Sequence, residues 1–242
     1  ENQNWLEMDQ FLSKFQEVVS KLKYLNVPVV GVPSGLAIGG GFEVLAHCDA
    51  LVAHTNSTFG LVEAGVGLLP AGGGVKQSYL RWFEKTNDWD EAAWQCWMQI
   101  GYGRIGTSPD ISSRYHYFLP DRDFQVMNKD RLYEQACSLN ASLQRTYMPP
   151  KKPIFKLANP EIRKKMYNFM KKGVEEGLFT PHNLTTAMAI ADVVVAKEGE
   201  EKPASEQDIF DRERYNFINL AKTPQTLGRI SSLLDSGIAE QN

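Results

Sequence analysis

Two glutamates, twenty positions apart, lie in segments that are otherwise apolar or rich in glycine. Glu43 follows the glycines at 39–41, and Glu63 is the only charged residue between Asp49 and Lys76. A carboxyl group in such surroundings either faces solvent on a loop or is buried, and burial raises its pKa toward the range that a general acid needs near neutral pH. The pattern predicts acid–base chemistry by a carboxyl pair.

The three glycines before Glu43 would leave the N-terminus of a helix without Cβ atoms. The unpaired N–H groups of a helix end, together with the helix dipole, can bind a phosphate or stabilise an oxyanion. The pattern is neither the Gly-Lys-Ser/Thr phosphate loop nor the dinucleotide fingerprint. Close packing of a strand on a helix needs the same small residues, so the glycines alone leave both interpretations open.

The elements that must position these residues follow the order of an α/β fold. Residues 5–23 have the apolar spacing of an amphipathic helix, and residues 27–32 and 51–53 read as buried strands of the parallel type. Residues 34–41 are expected to form a turn that opens a short helix, and Thr58-Phe59 is a possible third strand. Strand, glycine turn, helix and strand in this order indicate βαβ architecture.

The rest of the chain reads as loop and helix. Residues 65–74 form a glycine-rich loop, a helix is predicted from there to about Phe83, and residues 89–99 and 130–143 also read as helices. After Pro149-Pro150 the sequence is predicted to be all-helical. Two helices are predicted to start where a capping residue, Asn159 or Thr180, is followed by proline. A third is predicted to start at the capping box Ser205–Asp208.

The stretch from Pro28 to Gln77 closely resembles the enoyl-CoA hydratase (crotonase) superfamily. Residues 28–43 resemble its strand, oxyanion turn and first catalytic glutamate, and residues 58–63 resemble the segment that carries its second glutamate. The loop at 67–74 resembles its active-site loop. The match runs in order without gaps and keeps the family's separation of the two glutamates.

The resemblance implies an α/β fold with a partial crotonase (ClpP/crotonase-like) spiral core and an all-helical C-terminal extension. We place the C-terminal part of the core in residues 1–150 and the extension in residues 151–242. Segments 205–220 and 224–237 also look like the end of bacterial multifunctional proteins that join an NAD-dependent 3-hydroxyacyl-CoA dehydrogenase to a C-terminal hydratase domain. The chain is therefore expected to be a C-terminal fragment of a fatty-acid β-oxidation enzyme.

Roles for individual residues follow from the resemblance. Glu43 and Glu63 would be catalytic, activating water for addition to an enoyl thioester, and the Gly40 N–H would be one of two oxyanion-hole donors. The substrate-binding residues would be Gly39, Gly41, Gly67, Pro70, Ala71 and Gly72. The family's other oxyanion donor comes from strands upstream of the first helix here, so the isolated chain is expected to be nearly inactive.

Composition and the resemblance together define the expected partners. Cys48, Cys96 and Cys137 and the four histidines show no metal-ligand spacing, and a net charge of −3 does not suit binding to nucleic acid. No bound cofactor is expected on this segment, because acyl-CoA is the substrate and NAD would belong only to the dehydrogenase domain. We expect a cytoplasmic homo-oligomer without a membrane span.

Alternative functions stay open. The fold and its helical tail could form a non-catalytic module for assembly or docking, or the site could perform another crotonase reaction such as isomerisation or thioester hydrolysis. The basic segment 151–172 is interpreted mainly as the solvated face of a helix rather than a nucleic-acid or membrane surface. The tryptophans could line an acyl tunnel, although core packing explains them more simply. They are Trp82, Trp89, Trp94 and Trp97.

Overall fold

The computed structural model describes residues 4–200 and 203–242. Within these ranges the strands are β1 Val30–Gly31, β2 Leu36–Ile38, β3 Ala50–His54, β4 Thr58–Gly60, β5 Ile105–Gly106 and β6 Phe124–Val126. The α-helices are α1 Trp5–Lys23, α2 Gly40–Ala46, α3 Gly74–Thr86, α4 Trp89–Gly101, α5 Pro109–Ser113, α6 Leu132–Leu143, α7 Pro160–Glu175, α8 Pro181–Val194, α9 Glu206–Ala221 and α10 Pro224–Ser236. A 3₁₀ helix, Glu63–Val66, follows β4, and another spans Lys129–Arg131.

The strands form two small sheets. The order β1-β3-β6 is parallel throughout, while β2 pairs with β4 in parallel and β4 pairs with β5 in antiparallel fashion. Because α2 connects β2 to β3, the helix that carries Glu43 begins at the carboxyl end of a strand. This arrangement confirms the predicted α/β class.

The interpretation of residues 34–41 as a turn is wrong in part. Leu36–Ile38 is a strand whose Ala37 pairs with Phe59, and neither this strand nor β5 or β6 was predicted from the sequence. A three-residue strand beside a run of glycines has no periodicity of its own. Its pairing partner lies more than twenty positions away, so only tertiary structure reveals it.

The helix predictions are confirmed where they rest on local capping chemistry. Ser205 and Asp208 form the predicted capping box of α9, and Asn159 and Thr180 cap α7 and α8 through their side chains. The amphipathic helix predicted for residues 5–23 is α1. These helix starts could be predicted from the sequence because the capping hydrogen bonds join residues that are close together along the chain.

The later helices pack on the same core as the first half of the chain. Met166, Ile190 and Ile209 belong to one cluster of buried apolar side chains with Phe42 and Val75. The division near residue 150 therefore remains a sequence prediction, because a shared core does not mark a boundary. Among the described residues, no helix is both long enough and apolar enough to cross a bilayer.

Candidate active site

Glu43 is held at the N-terminus of α2 by the glycine turn. Gly39 has φ +55°, a left-handed conformation that favours glycine, and its N–H donates to the Gly60 carbonyl oxygen at 2.8 Å. Gly40 is the first residue of α2, so its N–H has no partner within the helix. The predicted oxyanion donor and the first glutamate thus share one helical turn, in which Glu43 is buried with 3% of its surface exposed.

The carboxylate of Glu43 binds the loop that precedes α3. Its Oε1 atom accepts hydrogen bonds from the N–H groups of Gly72 at 2.7 Å and Gly74 at 2.8 Å. Gly73, between these donors, has φ +98°, and a Cβ atom there would lie 2.6 Å from the His47 ring. Glycine is therefore required at position 73 both for the backbone conformation and for space.

Glu63 approaches the same glycine turn from the other side. It is the first residue of the 3₁₀ helix Glu63–Val66, and its Oε1 lies 3.2 Å from the position that a Cβ atom on Gly39 would take. The residue is only partly buried, but its Oε2 atom is inaccessible and has no hydrogen-bond partner among the described residues. An unpaired buried carboxyl oxygen is costly, and such atoms in native structures commonly serve a ligand or a reaction.

The two carboxyl groups have raised pKa values. Burial raises the pKa of Glu43 well above its usual range, the nearby charges of Glu63 and Glu213 raise it further, and the bonds from Gly74 and Gly72 oppose the rise. Burial raises the pKa of Glu63 to about 7. The repulsion between Glu43 and Glu63 means that the pair holds a proton near neutral pH, which suits both acid and base roles.

Phe15 of α1 covers the site between the two glycine segments. Its ring lies 3.8 Å from the position of a Cβ atom on Gly40 and 2.2 Å from that of one on Gly72. A Cβ atom on Gly72 would also lie 2.8 Å from Oε2 of Glu43, whereas one on Gly41 would meet nothing within 4 Å. Of the predicted substrate-binding glycines, Gly39 lies beside Glu63 and Gly72 beside Glu43, whereas the Cβ position of Gly41 contacts neither carboxyl group.

The remaining predicted loop residues contact protein instead. Gly67 has φ +79°, its carbonyl oxygen accepts from the Thr226 hydroxyl at 2.9 Å, and a Cβ atom on it would lie 2.6 Å from Nε2 of His182. Ala71 is buried, and its carbonyl oxygen accepts from the Gln16 side chain at 2.8 Å. Pro70 is buried as well, and its Cβ lies 2.6 Å from the position of a Cβ atom on Gly74. These contacts fix the shape of the loop.

A further buried carboxylate beside the loop was not predicted from the sequence. Glu213 of α9 is fully buried and accepts the N–H groups of Gly73 at 2.8 Å and Lys76 at 2.7 Å. Burial raises its pKa to about 8, against the opposing effects of the Lys76 N–H bond and the Lys76 charge. One signal was available, because Glu213 lies four residues after Ile209 and so falls on the apolar face of its helix.

Lys76 and His47 complete the buried polar cluster. The Lys76 ammonium group is paired with Glu206 at 2.6 Å and lies 4.0 Å from the centre of the Phe210 ring. His47 bonds through Nδ1 to the Glu43 carbonyl oxygen at 2.7 Å, and its Nε2 has no partner in the described part of the chain. Burial, followed by the Lys76 charge, lowers the pKa of His47 well below its usual value, so the ring is neutral.

An apolar pocket opens beside the residue that follows Glu63. Its cavity volume is about 40 Å³ between α4, α7 and α8, and its wall includes Ala64, Trp97, Gly101, Phe169 and Phe179. Only Trp97 of the four tryptophans considered from sequence lines it. Within residues 4–200 and 203–242, no group of three or more His, Cys, Asp or Glu side chains could hold a metal ion.

Comparison with known proteins supports the sequence resemblance. Residues 2–83 match the family model described as enoyl-CoA hydratase/isomerase. Over 245 aligned residues and 98% of the chain, the sequence is 30% identical to "Probable 3-hydroxyacyl-CoA dehydrogenase" of Bacillus subtilis (strain 168), of which it covers 30%. It is 38% identical over 71 residues to the mitochondrial methylglutaconyl-CoA hydratase of Homo sapiens, covering 29% of the chain and 21% of that protein.

A solved structure shares the fold. The crystal structure of an enoyl-CoA hydratase from Mycobacterium avium subsp. paratuberculosis K-10 aligns with a TM-score of 0.54 at 16% identity, covering 93% of this chain and 70% of that one. The chain spans about 30% of the length of the curated relatives that it matches along nearly its whole length. The chain therefore has the crotonase fold, and its residues 2–83 are similar to the enoyl-CoA hydratase/isomerase family.

Proposed function

We propose that this site hydrates trans-2-enoyl-CoA to 3-hydroxyacyl-CoA in fatty-acid β-oxidation. The observation that carries the proposal is the convergence of Glu43 and Glu63, both with raised pKa values, on the glycine turn at the start of α2. The substrate is an acyl-CoA thioester. By resemblance, retention of both glutamates favours hydration over isomerisation, for which family members often keep only one.

The reaction uses the two carboxyl groups and the helix end together. Water held between Glu43 and Glu63 gives its oxygen to the β-carbon and a proton to one carboxylate, while the π electrons of the double bond move to the thioester oxygen as an enolate. The Gly40 N–H donates to that oxygen more strongly as charge develops, so it favours the transition state. The enolate electrons then form the α-carbon–hydrogen bond with a proton delivered by the carboxyl pair.

We also propose that the parent polypeptide carries an NAD-dependent 3-hydroxyacyl-CoA dehydrogenase unit and assembles as a homo-oligomer. The relative named 3-hydroxyacyl-CoA dehydrogenase, which aligns with 98% of this chain, supports the first part. Gly40 is the only oxyanion donor assigned among the described residues, and loss of one donor typically costs about 10²–10³ in rate. The 242-residue chain alone is therefore expected to turn over slowly.

Product analysis tests the proposal. The complete polypeptide is incubated with crotonyl-CoA in water enriched in heavy oxygen, and the acyl product is analysed by mass spectrometry. Hydration adds one labelled oxygen to the β-carbon and leaves the thioester intact. A product that is isomerised without label, or free coenzyme A with a labelled carboxylate, would assign the site to isomerisation or thioester hydrolysis. Absence of any turnover would favour a non-catalytic assembly module.

A further inference from the structure

Four backbone N–H groups at the start of α3 are divided between two buried carboxylates. Glu43 binds the N–H groups of Gly72 and Gly74, and Glu213 binds those of Gly73 and Lys76. The donors to the two carboxylates therefore alternate along the chain, so that neither can shift without moving a donor of the other. Successive peptide groups in this loop are fixed from opposite sides, by α2 and by α9.

Glu213 is an unusual residue for the position that it occupies. It lies on the buried face of α9, close to Phe210, whose ring contacts the Cβ position of Gly73 at 3.0 Å. Isolated buried carboxylates are strongly unfavourable unless their oxygens are satisfied. Here Oε1 and Oε2 each accept one backbone N–H, and the N-terminus of α3 supplies further positive potential.

The charged groups around Glu213 come from several elements. Lys76 of α3 donates its backbone N–H to Glu213 but directs its ammonium group to Glu206 of α9, and neutral His47, which follows α2, lies against Gly73. Glu43 faces the loop from α2, and Glu63 faces Glu43 from the 3₁₀ helix. Glu213 is thus a second carboxyl group that faces the loop bound by Glu43, and it makes no side-chain ion pair of its own within the described residues.

We propose that Glu213 is a positioning residue for the reaction at Glu43. By holding the N–H groups of Gly73 and Lys76, it keeps those of Gly72 and Gly74 aimed at the Glu43 carboxylate. This inference rests on the proposed hydratase function. It assigns to the C-terminal helices a direct influence on the acid–base pair.

The test compares Glu213→Gln with Asp208→Asn in the complete polypeptide, using crotonyl-CoA hydration. Both variants change one carboxylate of α9 to an amide, but Asp208 caps the exposed end of the helix and does not contact the loop. We expect Glu213→Gln to lower kcat by about 10- to 100-fold with a change of less than about threefold in KM, because displaced catalytic groups cost rate rather than binding. The limb of the pH–rate profile that reports Glu43 should move to higher pH, since the bonds from Gly72 and Gly74, which oppose the rise in its pKa, are weakened.

A readout independent of activity separates this proposal from the hydratase proposal. Amide hydrogen exchange of the segment 72–76 should be faster in Glu213→Gln than in Asp208→Asn. In Glu213→Asp, which keeps a carboxyl group, the exchange rates should lie between those of Glu213→Gln and the wild type. If the wild type does not hydrate crotonyl-CoA, only the hydratase function fails, and the exchange data still test the positioning role. Equal kcat, pH profile and exchange in the two amide variants would overturn it.

Discussion

The carboxyl group of Glu63 reaches the glycine turn that precedes Glu43, with Oε1 3.2 Å from the position that a Cβ atom on Gly39 would take. Glycine at 39 therefore serves two purposes, a positive φ and room for the second carboxyl. The two carboxyl groups flank a turn that carries no side chains of its own, and in the proposed reaction a thioester carbonyl would bind at this helix end.

Alanine at position 39 should disturb both the turn and the approach of Glu63. We expect Gly39→Ala to lower the free energy of unfolding by about 1–2 kcal/mol, because a left-handed backbone conformation is strained for alanine. Gly41→Ala is the matched control for stability, since its Cβ would meet nothing within 4 Å in a helical conformation, and it should gain about 0.5–1 kcal/mol. Urea unfolding measures both. Equal effects would contradict the argument from backbone conformation.

The free energy of unfolding should depend on the protonation of Glu63. Its folded pKa of about 7 exceeds the ordinary value of 4.5, so its stabilising contribution is complete below pH 4.5 and is lost as pH rises through about 7. Between pH 5 and 8 the free energy of unfolding should fall less steeply in Glu63→Gln than in Glu84→Gln. The second variant is the control, because Glu84 is exposed on α3. Buried His47 contributes a slope of the opposite sign, so the difference between variants is the quantity to measure. Parallel curves would contradict the raised pKa.

The buried pair of Lys76 and Glu206 should be strongly coupled. Their side chains are 0% and 6% exposed, and Lys76→Met should cost about 3–5 kcal/mol because it leaves Glu206 buried without its cation. The double variant with Glu206→Gln should recover part of that loss. Lys164→Met breaks the exposed pair with Glu161 and should leave the free energy of unfolding nearly unchanged. Additive single effects in the double-mutant cycle would show that the buried pair is not coupled.

We expect the far end of longer acyl chains to bind at the small apolar pocket beside Ala64. A Cβ atom on Gly101 would meet nothing within 4 Å, so Gly101→Leu can narrow the pocket without a clash at its first atom. We expect kcat/KM for decenoyl-CoA to fall about tenfold, equivalent to roughly 1.4 kcal/mol of lost apolar contact, while crotonyl-CoA is little affected. Thr185→Leu, exposed on α8 outside the pocket lining, is the control. Equal losses for both substrates would place the acyl chain elsewhere.

The structural features that depend on residues close together along the chain could be predicted from the sequence. Helix starts at Asn159, Thr180 and Ser205 could be predicted because each cap binds an N–H two or three residues away. The carboxyl pair could be recognised because both glutamates lie in apolar, glycine-rich segments with a family spacing. Both signals come from the local sequence or its composition and do not depend on contacts between distant residues.

Contacts between distant segments could not be predicted in the same way. Strand β2 exists because Ala37 pairs with Phe59, and Glu213 reaches Gly73 from 140 positions away. Neither relationship changes the local pattern strongly, since one involves backbone groups and the other a single acidic residue on an apolar helix face. The part of the site contributed by α9 therefore required the three-dimensional fold.

The most direct test of the account is crotonyl-CoA hydration by Glu43→Gln and Glu63→Gln in the complete polypeptide, with Glu84→Gln as the exposed control. Each amide keeps the size of the side chain but cannot exchange a proton with water, so we expect kcat to fall by about 10²–10⁴ in either variant while folding is retained. The control should match the wild type. Near wild-type hydration by either variant would contradict the claim that two carboxyl groups share the reaction.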